Sequence, residues 1–133
     1  MIRTYVDLDG TLFDLYGKRN WLERLRAEDD SVFSGDCRLV TEEEMRKIFP
    51  SDKYEVVVLS MTPKHASKEY CKRVIARKNE WLDKFFPSIT ERIYLPYSDD
   101  KNMGDEFALL VDDNKAIRNN FKGIALDPAL LWG

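Results

Sequence analysis

The chain has 133 residues, which fits one domain, and 44% of them are hydrophobic, enough to build a core. Its net charge of −3, with 34% charged residues of mixed sign, gives no basic footprint, so extended nucleic-acid binding is not expected, although a nucleotide held through a metal stays open. Cys37 and Cys71 have no metal-ligand spacing, His65 is the single histidine, and no apolar stretch approaches a membrane span, so a cytoplasmic protein with reduced thiols, no membrane association and no histidine-based metal site is expected.

Residues 2–8 read as a buried strand whose first residue leaves no room for a signal peptide. Residues 18–29 carry Trp21, Leu22 and Leu25 at helical spacing. Residues 30–40 look irregular, with Ser34-Gly35-Asp36 as a turn. Thr41, followed three residues later by Glu44, is a capping box that opens a short helix ending near Pro50. Residues 54–59, with three consecutive valines, form the second strand. A long helix is expected over about 66–86, ending before Pro87, with Tyr70, Val74, Ile75, Trp81, Leu82 and Phe85 as its apolar stripe. Strands follow over 92–95 and 107–111, a short helix over 114–121, and a fifth strand over 124–126; the tail with Trp132 is expected to pack back on the body.

Strands that alternate with helices imply an α/β fold with a mainly parallel five-stranded sheet and helices on both faces. Such sheets bind ligands beyond the carboxyl ends of their strands. The residues standing there are Asp7 and Asp9 after the first strand, Ser60 after the second, Lys101 in the loop after the third, and Asp112 and Asp113 after the fourth. This is an acidic cluster with one hydroxyl and one ammonium.

That set suits hydrolysis of a phosphate monoester. Two or three carboxylates can hold Mg²⁺, a hard cation that prefers oxygen, and the cation offsets repulsion between a carboxylate nucleophile and an anionic phosphate. Asp7 would attack phosphorus and form an aspartyl-phosphate. Asp9 would protonate the leaving oxygen and then deprotonate the attacking water. Lys101 would neutralise non-bridging oxygens, Ser60 would hydrogen-bond one of them, and Gly10 would allow the tight turn that lets backbone N–H groups face the phosphate.

Asp7-Leu8-Asp9-Gly10-Thr11 resembles the first motif of the haloacid dehalogenase-like (HAD) phosphohydrolases, whose fold is a Rossmann-like core. Ser60, Lys101 and Asp112-Asp113 resemble the second, third and fourth motifs in order and spacing. The resemblance implies that the Asp7 side chain, the Asp9 backbone carbonyl and a fourth-motif carboxylate bind Mg²⁺. Asp113 is preferred for that ligand, with Asp112 in support. It also implies phosphate contacts from Gly10, Ser60, Met61 and Lys101. A narrower similarity joins Leu59-Ser60-Met61-Thr62-Pro63, Lys78-Asn79-Glu80-Trp81-Leu82, Glu91-Arg92-Ile93-Tyr94-Leu95 and Leu109-Leu110-Val111-Asp112-Asp113-Asn114 to the 5′(3′)-deoxyribonucleotidase branch. It implies a (deoxy)nucleoside monophosphate substrate. Members of that branch usually insert a helical cap between the first two strands; here only residues 14–40 are available for a small lid within the single domain. An open site would admit a larger substrate, such as a nucleic-acid end, a protein or a lipid phosphate, or a second subunit could cover it in a homodimer.

Each candidate has a plainer reading. Asp112-Asp113 could be a helix N-cap, and both readings can hold together. Ser60 could simply end a strand, with Thr62 as a rival hydroxyl; Thr62 before Pro63 fits a helix N-cap better. Lys64 and Lys115 rival Lys101. Lys78, on a long helix, is expected to be a solvated charge. Phe13, Tyr16 and Trp21 could stack on a nucleobase or pack the lid. Outside enzymes, a phospho-acceptor or metal-binding regulatory module would have one acceptor aspartate and no need of Asp9.

Overall fold

A computed structural model of the chain describes all 133 residues. Five strands, β1 (Ile2–Val6), β2 (Tyr54–Met61), β3 (Arg92–Leu95), β4 (Leu109–Val111) and β5 (Ile124–Leu126), form one sheet in the order β3-β2-β1-β4-β5. Every pairing is parallel, and the register sets Tyr5 against Val57 and Leu110. The helices are α1 (Trp21–Arg26), α2 (Glu42–Ile48), α3 (Lys68–Phe85) and α4 (Lys115–Asn120). No helix is long and apolar enough to cross a membrane.

Successive strand residues point to opposite faces, so the apolar runs feed two cores. On one face Val6, Val56, Val58 and Val111 pack with Tyr70, Val74, Trp81 and Leu82 of α3 and Met45 of α2. On the other, Tyr5, Val57, Leu59 and Leu110 meet Ile117 of α4 and Phe121 just beyond it. Burying each such side chain stabilises the fold by about 1.5–3 kcal/mol, and this fixes α3 and α4 against opposite faces. The strand order places β2 and β4 on either side of β1, so the chain changes direction across the sheet at β1, the position beyond whose carboxyl end parallel sheets commonly bind ligands.

Several boundaries differ from those the sequence predicts, each for a physical reason. The helix predicted over 18–29 covers only Trp21–Arg26, because Asn20 and Glu28 adopt left-handed backbone at φ 56° and 55°. The long helix starts at Lys68 and not at 66: the Ser67 side chain caps the Tyr70 N–H, and His65 just before it is left-handed at φ 59°. Thr62 is therefore not a helix N-cap; its hydroxyl donates to the Leu95 carbonyl at 3.4 Å. The β1 ladder stops at Val6, β2 runs on to Met61, and β4 begins at Leu109. The predicted capping box of Thr41 and Glu44 is present.

Within residues 14–40, a 3₁₀ turn at Asp30–Phe33 buries Val32 and Phe33 in the α3-side core. The segment is clamped to α3. Glu28 accepts from the Ser67 backbone and hydroxyl at 2.9 and 2.6 Å, the Tyr70 hydroxyl donates to the Asp29 carbonyl at 3.0 Å, and Arg77 pairs with Asp30 at 2.9 Å. Trp81 Nε1 donates to the Gly35 carbonyl at 2.9 Å. The segment is a wall continuous with the core. At the other end of the chain, Trp132 packs back as the sequence predicts and donates from Nε1 to the Thr11 carbonyl at 3.1 Å.

Candidate active site

The hook after β1 is built by local hydrogen bonds. The Leu8 carbonyl accepts the N–H groups of Thr11, Leu12 and Phe13 at 3.2, 2.9 and 3.0 Å, and Gly10 N–H donates to the Phe13 carbonyl at 2.8 Å. Asp7 N–H donates to the Val111 carbonyl at 2.9 Å, which ties the hook to the end of β4. The backbone N–H groups of Leu8 and Asp9 have no acceptor in the protein. Gly10 turns at φ 82°, and a Cβ there would lie 2.3 Å from Asp113 Oδ2 and 2.7 Å from the Tyr16 ring. Glycine is required both by the backbone and by the approach of Asp113.

The structure brings together all of the strand-end residues singled out above. Carboxylate oxygens of Asp7, Asp112 and Asp113 lie within 4.8 Å of one another. Thr11 donates to Asp7 Oδ2 at 3.2 Å. Asp112 Oδ1 accepts the Asn114 N–H at 2.9 Å, and Asn114, not either aspartate, caps α4.

Lys101 reaches this cluster from the helix-free connection between β3 and β4. Its neighbour Asn102 anchors that loop, donating to the Asn120 carbonyl and accepting from the Lys122 N–H, both at 2.8 Å. Lys101 Nζ donates to Asp7 Oδ1 at 2.9 Å, the Leu59 carbonyl at 2.9 Å and Asp112 Oδ2 at 2.7 Å. An ammonium has three N–H donors, and all three are taken by the protein. Lys101 thus stands where the sequence predicts, but in this arrangement it neutralises carboxylates and has no donor free for a phosphate oxygen. The rivals Lys64 and Lys115 are exposed, as is His65.

The residue that the sequence misjudges is Lys78. It is buried, not solvated, at 2% exposure. Its Nζ donates to Asp9 Oδ2 at 2.9 Å, Ser60 Oγ at 2.9 Å and the Met61 carbonyl at 3.0 Å. Ser60 is buried and accepts from Lys78, so its own O–H remains free to donate. Met61 meets the site through this carbonyl; its sulfur accepts the Ser98 N–H at 3.3 Å. A signal for Lys78 exists in the sequence: it lies four residues after Val74 and four before Leu82, in the middle of the apolar stripe of α3.

Burial and crowding shift the titrations. Burial, then the charge of Asp7, pushes Asp112 up to about 6 and Asp113 up to about 8. Asp9 is also raised, chiefly by burial, against the pull of Lys78. Lys101 is lowered by burial but raised more by Asp7 and Asp112, and so stays charged. The nearby Arg118 is occupied elsewhere, on the Asp112 carbonyl and the Asp127 carboxylate. Four carboxylates against two ammonium groups leave an excess of two negative charges when all are ionised. Oxygen donors with that excess could hold a hard divalent cation.

Of the aromatic candidates, Phe13 is 2% exposed in the core and edge-on to Trp81, so it is not available to a ligand. Tyr16 is exposed beside Gly10 and Asp113, with Trp21 edge-on to it at 4.9 Å between ring centroids. No protein-family model and no curated protein matches the chain.

Proposed function

We propose that the chain is a Mg²⁺-dependent phosphohydrolase of the HAD type that cleaves a phosphate monoester through an aspartyl-phosphate. The observation that carries this reading is the convergence of Asp7, Asp112 and Asp113 at the carboxyl ends of β1 and β4, beside the unpartnered N–H groups of Leu8 and Asp9. Three carboxylates packed this closely, with Lys101 on only two of them, suit a cation, and backbone donors without acceptors suit an anion next to it.

Asp7, Asp113 and the Asp9 carbonyl would hold Mg²⁺ with support from Asp112, and the bound ion would supply charge neutralisation. Asp7 attacks phosphorus as the bond to the leaving oxygen breaks. Asp9 gives that oxygen a proton. It then takes a proton from the water that displaces Asp7 from phosphorus, which releases phosphate and restores both side chains. The Leu8 and Asp9 N–H groups and the Ser60 hydroxyl bind the non-bridging oxygens. Lys101 holds the Asp7 carboxylate in place through its 2.9 Å contact with Oδ1.

The first substrate class to test is a (deoxy)nucleoside monophosphate, with Tyr16 and Trp21 at the mouth as the aromatic surface for its base. A second reading, a larger phosphate ester, has its own support: Val32 and Phe33 fix the short 14–40 segment to the core, which leaves less chain to enclose a nucleoside. A screen of phosphate release over nucleoside monophosphates, phosphorylated oligonucleotides, phosphopeptides and simple esters with Mg²⁺ decides between them. Release is expected to vanish with chelator and to fall at least about a thousandfold in Asp7→Asn. Undiminished activity in that variant refutes the assignment of the nucleophile. A stable phospho-aspartate without turnover would instead favour a regulatory acceptor.

A further inference from the structure

We propose that Lys78 is a positioning residue that acts through Asp9, fixing the orientation of the carboxylate that meets the leaving group. The proposal rests on the phosphohydrolase reading and assigns a role to a residue on α3, outside the strand-end set.

Lys78 cannot itself serve the phosphate in this arrangement, because its three donors are spent on Asp9 Oδ2, Ser60 Oγ and the Met61 carbonyl. Its side chain lines a small void together with Leu8, Phe13, Phe33 and Trp81, and its ammonium lies 5.1 Å from the centre of the Phe33 ring. One buried cation thereby joins the hook, β2, α3 and the 14–40 wall. An apolar side chain would suit these surroundings as well, at no desolvation cost. What the ammonium adds is direction. It pins Asp9 Oδ2, so the carboxylate cannot turn about its own axis. The other oxygen, Oδ1, is buried and has no hydrogen-bond partner. With Oδ2 held, the Lys78 contact sets how the partly exposed Asp9 carboxylate faces the site.

A role through Asp9 has a signature that a merely structural lysine lacks. Proton donation matters for an alkyl leaving group and hardly at all for p-nitrophenolate. The ratio kcat/KM reports only steps up to departure of the leaving group, so the later base role of Asp9 does not enter. The experiment compares thymidine 5′-monophosphate with p-nitrophenyl phosphate in the full chain with Mg²⁺, for wild type, Lys78→Met, Asp9→Asn and the double variant, with Asp7→Asn as control. Lys78→Met is expected to lower kcat/KM for the nucleotide about a hundredfold and for the aryl ester less than about fivefold. Adding Lys78→Met to Asp9→Asn is expected to change neither further. The double variant also lacks the unpaired buried carboxylate, so the comparison with Asp9→Asn stands even where Lys78→Met alone folds poorly. Equal losses on both substrates, or a further loss in the Asp9→Asn background, overturn the positioning role and leave the phosphohydrolase reading intact. Absence of Asp7-dependent phosphate release in the wild type overturns both.

Discussion

Replacing Asp113 by asparagine should stabilise the metal-free protein, by an amount that grows with pH. Asp113 is pushed from 3.8 up to about 8 by burial and by the Asp7 charge. Its folded pKa is above its unfolded one, so the stability linked to its proton is full below about pH 4 and is lost as pH rises through about 8. Linkage gives a ceiling on this loss of about 5 kcal/mol at pH 8 and about 2 kcal/mol at pH 5. Asp113 is only partly buried, and solvent screening cuts these to about 2–3 and about 1 kcal/mol. The asparagine of the variant does not titrate. Asp112, pushed up to about 6, is present in both proteins and largely cancels in the comparison. In chelator, Asp113→Asn should therefore melt about 10 °C above the wild type at pH 8 and only about 3 °C above it at pH 5. With Mg²⁺ the order should reverse, because only the wild type keeps the full ligand set. Thermal denaturation followed by circular dichroism at both pH values, with and without Mg²⁺, reads all four cases. An advantage independent of pH, or a variant less stable than the wild type at pH 8 in chelator, refutes the argument that Asp113 is held in a cation-demanding cluster.

Two further outcomes follow from the site geometry. Lys101→Met removes the ammonium shared by Asp7 and Asp112 and should cost about 3–5 kcal/mol in chemical denaturation, with part of that recovered when Asp112→Asn is added. Gly10→Ala places a methyl group 2.3 Å from Asp113 Oδ2 at φ 82°; it should cost about 1–2 kcal/mol and abolish the thermal shift produced by Mg²⁺, and retention of that shift would show that Asp113 is not a ligand.

The sheet and its strand-end residues were legible because both depend on local pattern. The runs Tyr5-Val6 and Val56-Val57-Val58-Leu59 leave little choice but buried strands, and a parallel sheet gathers their carboxyl ends. Thr41 and Glu44 are a purely local cap and were equally legible. What escaped depends on tertiary partners. Asn20 and Glu28 take left-handed backbone with no glycine to announce it, and Glu28 is held there by Ser67, 39 residues away. Ser67 won the start of α3 over Thr62-Pro63 because Thr62 continues the β2 edge toward Leu95. Lys78 was read from its residue type, as a solvated charge, although its place between Val74 and Leu82 puts it on the buried face. The partner that makes burial tolerable, Asp9, is 69 residues away.

Counting donors redistributes the electrostatic work of the proposed site. Lys101 and Lys78 each spend all three N–H groups on protein acceptors, so neither offers the phosphate a hydrogen bond without first releasing a carboxylate or a carbonyl. Releasing a carboxylate would leave a buried charge uncompensated, at a cost of several kcal/mol. The donors that remain are the N–H groups of Leu8 and Asp9 and the Ser60 hydroxyl, all neutral. Neutral donors orient an anion well but offset little of its charge. On the proposed reading, the two lysines therefore organise the two aspartates of the hook, Lys101 the nucleophile and Lys78 the acid/base. The substrate's charge is left to whatever cation Asp7, Asp112 and Asp113 hold. That division places the demand for metal at substrate binding as well as at turnover.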